Sequence, residues 1–149
     1  MKARHIFAIL VGAVLIVWSL ASCNPLNSVS ISQRIADFQA DLNTSSRSNV
    51  YQDFHPTMTT EYNALKDPNL SGFNTEFPAT GQYSLTDSND SNPAAVIVTV
   101  NAGSPGTGSG LTAPYYLQLN MATYNGNDNR IVTLSDSSSI GGPYNQKFF

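Results

Sequence analysis

Apolar residues are spaced in three different ways along this 149-residue chain, and each spacing predicts a different kind of segment. After Lys2, Arg4 and His5, an apolar run extends from Ile6 to Leu20, interrupted only by Gly12 and Ser19. At 15 residues the run is shorter than the ~20 a helix needs to cross a bilayer, so its layout predicts a removable secretory signal rather than a permanent span. From Ile31 the spacing becomes helical: Ile31, Ile35, Phe38 and Leu42 form the stripe of an amphipathic helix. Ser30 with Gln33 predicts a capping box at its start, and Asn43-Thr44-Ser45-Ser46 ends it.

Between Val50 and Leu70, the positions Tyr51, Phe54, Met58, Tyr62 and Leu65 keep helical spacings that Pro56 interrupts. The residue before a proline avoids helical dihedrals, so a second helical region bent or split there is predicted. Thr59 or Thr60 would cap its second half, Glu61 to Lys66, and Asp67-Pro68 would stop it. Phe73 and Phe77 are assigned to a turn-rich link running from Gly72 to Gly81.

Beyond Gly81 the period falls to two, and an antiparallel meander follows. Predicted strands are Gln82 to Thr86, Ala94 to Val100, Pro114 to Tyr124 and Arg130 to Leu134. In the third, Tyr115, Leu117, Leu119 and Met121 alternate with Tyr116, Gln118, Asn120 and Ala122, so one face is apolar and the other polar. Asn125 to Asn129 is a hairpin loop, because Asn-Gly adopts positive φ at little cost. The tail from Ser135 is rich in Ser and Gly; docking of Ile140, Phe148 and Phe149 on the sheet and a frayed end are both open.

The end of the leader reads Leu20-Ala21-Ser22-Cys23, which resembles the lipobox of bacterial lipoproteins. Cys23 is the only cysteine, so it has no disulfide partner within the chain. The resemblance implies cleavage before Cys23 and a diacylglycerol on its thiol. It also implies three acyl chains on the mature first residue, which at ~0.8 kcal/mol per buried methylene make a stable anchor. Asn24 stands where an Asp signals inner-membrane retention in some such proteins, so the outer membrane or cell surface is favoured. The expected organisation is a signal peptide over 1–22, a lipidated tether over 23–28 and one domain over 29–149.

Removal of the first 22 residues leaves 127, enough for one compact domain. Of the seven Lys and Arg, Lys2 and Arg4 belong to the leader, leaving five basic residues against ten acidic. No basic cluster remains, which argues against nucleic acid as a partner. Charged residues are only 11% of the chain, and Ser, Thr, Asn, Gln and Tyr supply the polarity, as suits an exported binding surface.

Helices first and a meander afterwards predict an α+β domain, with the N-terminal helix or helices packed on a curved antiparallel sheet of about four strands. This element order over about residues 29 to 135 is similar to cystatin-like and nuclear-transport-factor-2-like domains. A β-sandwich with a helical lid is the alternative.

Candidate chemistry is sparse. His55 is the only histidine after the leader, and Asp53 precedes it by two residues. In some members of that helix-and-sheet class a His beside an acid serves as a base in a cone-shaped pocket. The bland reading is a half-buried His bonded to backbone at a helix break. Asp87-Ser88-Asn89-Asp90-Ser91 begins like a calcium loop, but Asn92 and Val98 occupy the Gly and Glu positions, so an exposed hairpin loop is expected. Gly103 to Gly110 lacks the lysine of a phosphate loop and is read as a long mobile connection able to gate a pocket. No metal site and no cofactor are called for.

Tyr51, Phe54, Tyr62, Tyr83, Tyr115, Tyr116 and Tyr124 are candidates to line a concave pocket, although most will be core. The ligand-binding candidates are Tyr116, Gln118, Asn120 and Tyr124 on the polar strand face. Three functions compete. The first is a non-enzymatic, membrane-anchored binding or accessory module for a small molecule, glycan or envelope protein. The second is a small hydrolase or isomerase using His55 and Asp53. The third is a structural envelope protein with a filled core.

Overall fold

A computed structural model describes residues 28–67 and 70–149. The expected signal peptide, Cys23, nearly all of the expected tether and Pro68, the expected helix stop, lie outside the described residues. No helix among those described is long and apolar enough to cross a membrane.

Helix α1 spans Ile31–Asn43 and buries Ile35, Phe38 and Leu42, three positions of the predicted stripe. Ser30 Oγ accepts from Gln33 N at 3.1 Å, which satisfies one donor of the first turn. The reciprocal half of the capping box is missing, because the Gln33 side chain donates to Asp37 Oδ1 at 2.8 Å instead. A 3-10 turn over Val50–Asp53 follows, and the chain then leaves helical geometry at Phe54, just ahead of Pro56. Helix α2 covers Thr59–Leu65 and starts two residues earlier than expected, with Met58 at its N-cap position and no side-chain cap there.

The segment from Gly72 contains a helix that the spacing did not reveal. Helix α3, Ser71–Glu76, turns Phe73 into the core and delivers Phe77 just past its end. Six residues are too few to display a 3.6-residue period, so only the Phe73/Phe77 spacing marked it.

The sheet has five strands, one more than expected: β1 Leu85–Asn89, β2 Val96–Val100, β3 Tyr115–Tyr124, β4 Asp128–Ser137 and β5 Asn145–Gln146. They form one antiparallel sheet in chain order, so no second sheet exists among the described residues to make a sandwich. The first strand lies three residues later than predicted, because side chains of α1 hold its predicted start. Asn43 accepts from Tyr83 N at 2.7 Å and donates to Tyr83 O at 2.9 Å, while Gln39 Oε1 accepts from Leu85 N at 2.6 Å. Asp87 to Asn89 consequently belong to β1 rather than to an exposed loop.

Alternation on β3 places Tyr115, Leu117, Leu119 and Met121 in the core against Val96, Val98 and Val100 of β2 and Ile131 and Leu134 of β4. Phe38 projects from α1 into this layer and meets Phe54, Phe73 and Phe77 edge-on at centroid distances of 6.0–6.5 Å. The tail docks on the helical side rather than fraying: the Phe149 ring contacts Phe54, Phe73 and Phe77, whereas Ile140 and Phe148 remain exposed.

The outer edge of β4 is covered along its length. Val29 pairs beside Asp128, Phe54 beside Ile131, and β5 beside Ser135 and Asp136. Covering an edge in this way removes a template for unwanted strand addition.

Candidate functional site

The predicted acid-base pair is not assembled. His55 leaves the 3-10 turn with its backbone N–H on Ile131 O at 2.8 Å. Its Nδ1 lies 2.7 Å from Thr57 Oγ1 and accepts from Thr57 N at 3.2 Å, and its ring meets the Tyr124 ring at 5.4 Å. Asp53, two residues earlier, is 1% exposed and accepts from Arg34 rather than from His55. Residues two apart on an extended backbone share a side, but the 3-10 turn ends at Asp53, so that period does not hold Asp53 and His55 to one face. Each side chain is therefore committed to separate partners.

Asp53 instead belongs to an ion network around Arg34. The guanidinium donates to Asp53 Oδ1 at 2.7 Å, to Asp128 Oδ1 at 2.6 Å and to Asn129 O at 2.8 Å. Asp128 is also held by Arg130 Nε at 2.8 Å. Burial pushes the Asp53 carboxyl up to about 7; Arg34 pulls it down, and the nearby Asp41 and Asp37 charges push it further up. A surface groove of about 210 Å³ runs along this network, lined by Arg34, Asp37, Ala40, Asp41, Asn49, Gln52 and Asp53. His55 is not among its walls. All of these residues come from α1, the 3-10 turn and its approach, so the groove lies outside the interface between helix and sheet.

A second polar cluster unites residues far apart in the chain. Lys147 Nζ lies 2.9 Å from Asp136 Oδ2, 3.1 Å from Glu76 Oε1 and 2.9 Å from Ser109 Oγ. A Ser-Lys contact is the arrangement that activates some hydroxyl nucleophiles, but there the amine must be neutral. Burial disfavours the Lys147 charge, yet hydrogen bonds and charges from Asp136 and Glu76 hold its pKa above the ordinary lysine value. It remains an ammonium ion and cannot take the Ser109 proton. The cluster is a latch on the loop expected to be mobile: Gly108 N donates to Glu76 O at 3.0 Å, and Ser109 is bonded to Glu76 and Asp136. Gly108 is required there, since an added Cβ would lie 2.1 Å from Thr75 O. No periodicity links Glu76, Ser109, Asp136 and Lys147, so the sequence held no signal for them.

Several of the aromatic rings offered for a concave pocket are engaged in packing. Phe54, Tyr83 and Tyr115 are core residues, and Tyr51 and Tyr62 meet edge-to-face with ring centroids 5.6 Å apart. Burial drives the Tyr115 hydroxyl well above its usual range and the Tyr83 hydroxyl up to about 12. Among the described residues, no three His, Cys, Asp or Glu side chains converge as a metal site.

The four strand-face candidates do share a surface. Tyr116, Gln118 and Asn120 form a half-buried row on the outer face of β3, and Tyr124 continues it toward the hairpin. Ile97 and Thr99 of β2 flank the row on one side, and Thr133, Ser135 and Ser137 of β4 on the other. Tyr116, Gln118 and Asn120 make no side-chain hydrogen bond to another described residue, whereas Tyr124 is occupied by His55 and by Arg130, whose guanidinium lies 4.4 Å from the ring centroid.

No family model, no curated protein and no solved structure matches this chain.

Proposed function

We propose that this chain is exported, acylated on Cys23 and held on the outer membrane or cell surface, where it acts as a non-enzymatic binding or accessory module. The outer face of the sheet is its recognition surface. The observation that carries this reading is the row Tyr116, Gln118 and Asn120, whose side chains make no hydrogen bond to another described residue. Tyrosine rings stack on the apolar faces of sugars, and side-chain amides both donate to and accept from hydroxyls. A neutral glycan therefore suits the face better than a charged partner. The order of elements, a first helix laid over an antiparallel meander, supports the finer likeness to cystatin-like and nuclear-transport-factor-2-like domains.

Two measurements test the reading. Mass spectrometry of the N-terminal peptide after expression in a bacterium is expected to find Cys23 acylated; an unmodified peptide that begins at Met1 would overturn the anchor. Titration of the full chain in detergent micelles with neutral oligosaccharides is expected to shift the amides of Tyr116, Gln118 and Asn120. Tyr116→Ala should abolish the shifts. Amides on this row that stay still at millimolar sugar would end the glycan reading.

A further inference from the structure

The lipid anchor proposed above enters the fold at one end of the sheet, and that attachment fixes which end can meet the membrane. Val29 N donates to Asn127 O at 3.1 Å, and Val29 O accepts from both the backbone and the side chain of Asn129, at 3.1 and 2.8 Å. The entering chain is thus stapled to the β3–β4 hairpin, whose tip, Asn125 to Asn127, is exposed. From Cys23 to Val29 there are six residue steps, which reach at most ~21 Å when fully extended.

Strand β3 has ten residues, and at ~3.4 Å per residue it separates the hairpin from the opposite pole by about 30 Å. That opposite pole holds the loop between Val100 and Tyr115 and the exposed Ile140. A tether of ~21 Å cannot lower the far pole onto the bilayer while the hairpin end stands ~30 Å above it.

We propose that the β3–β4 hairpin end is the membrane-facing pole and rests on phospholipid headgroups; this rests on the lipoprotein reading of Cys23. Its chemistry suits that layer. Behind the exposed tip, the Tyr124 ring stands between the Arg130 guanidinium and the His55 ring, and tyrosine is enriched at the level of lipid headgroups. Asp128, the acidic group nearest the tip, is neutralised by Arg34 and Arg130, so it presents little repulsion to anionic phosphates. The outer face of the sheet then stands upright on the membrane, and the latched loop points away from it.

Because acylation consumes the only native thiol, an introduced cysteine is the sole labelling site. Asn127→Cys at the tip and Thr112→Cys at the far pole, both exposed positions, would each carry a fluorophore in the full acylated chain. Both are reconstituted into vesicles of phosphatidylethanolamine and phosphatidylglycerol containing a headgroup-nitroxide lipid. Severalfold stronger quenching at position 127 than at 112 is expected. Equal or reversed quenching in protein whose Cys23 acyl mass has been verified would overturn the orientation alone. Absence of that acyl mass would overturn the anchor and the orientation together.

Discussion

The Arg34 guanidinium donates to Oδ1 of Asp53 at 2.7 Å with both side chains buried, while Oδ2 of the same carboxyl has no hydrogen-bond partner among the described residues. A buried carboxylate with only half of its oxygens engaged is costly, and burial accordingly raises the Asp53 pKa to about 7, against the pull of Arg34. An acid whose pKa is higher folded than unfolded binds its proton more tightly in the native state. Its stabilisation is complete below the unfolded value near 4 and is lost as pH rises through about 7. Asp41, raised in the same direction by burial, adds to the effect. The melting temperature should therefore fall between pH 4 and 8 by an amount on the order of several degrees. Asp53→Asn keeps an oxygen for Arg34 but cannot ionise, so its melting temperature should vary less over that window; parallel pH profiles for the two proteins would contradict the assignment.

Lys147→Met should be more damaging than a typical surface charge removal. The substitution leaves Asp136, whose side chain is 2% exposed, without its cation, and breaking such a buried pair costs ~3–5 kcal/mol. Adding Asp136→Asn removes the stranded charge and should recover a large part of that loss in urea denaturation. A Lys147→Met protein as stable as the parent would mean that the latch contributes nothing.

At Gly108 the objection to a side chain is steric. The Cβ of Gly108→Ala would sit 2.1 Å from Thr75 O, so the loop must lift from α3 and give up the bond from Gly108 N to Glu76 O. A destabilisation of ~1–3 kcal/mol is expected, together with new protease cleavage between residues 103 and 112. Thr112→Ala, at an exposed position in the same loop, should produce neither.

The two sides of the sheet should respond differently to truncation. Phe38, which fills the layer beneath the sheet and is fully buried, should lose ~3–5 kcal/mol on change to alanine. On the outer face, Gln118→Ala and Asn120→Ala remove side chains with no hydrogen-bond partner among the described residues, and each should change stability by no more than about 0.5 kcal/mol. Larger losses on the outer face would mean that these groups serve the fold rather than a partner.

Local spacing by itself determined the α1 stripe, the alternation of β3, the Asn-Gly hairpin and the α+β order, because each is written in side-chain periodicity over a few neighbouring residues. Helix α3 was too short to display a period. The start of β1 was decided by Asn43 and Gln39, which take backbone groups that a ladder would otherwise use. Only the tertiary structure could separate His55 from Asp53, since the geometry of one 3-10 turn and the distant Arg34 and Tyr124 select their partners. The Glu76, Ser109, Asp136 and Lys147 latch likewise joins four separate segments, and no local pattern encodes which charges meet once the chain has folded. The same holds for the tail, where Phe149 docks because a cluster of phenyl rings built from distant helices offers it apolar surface to bury.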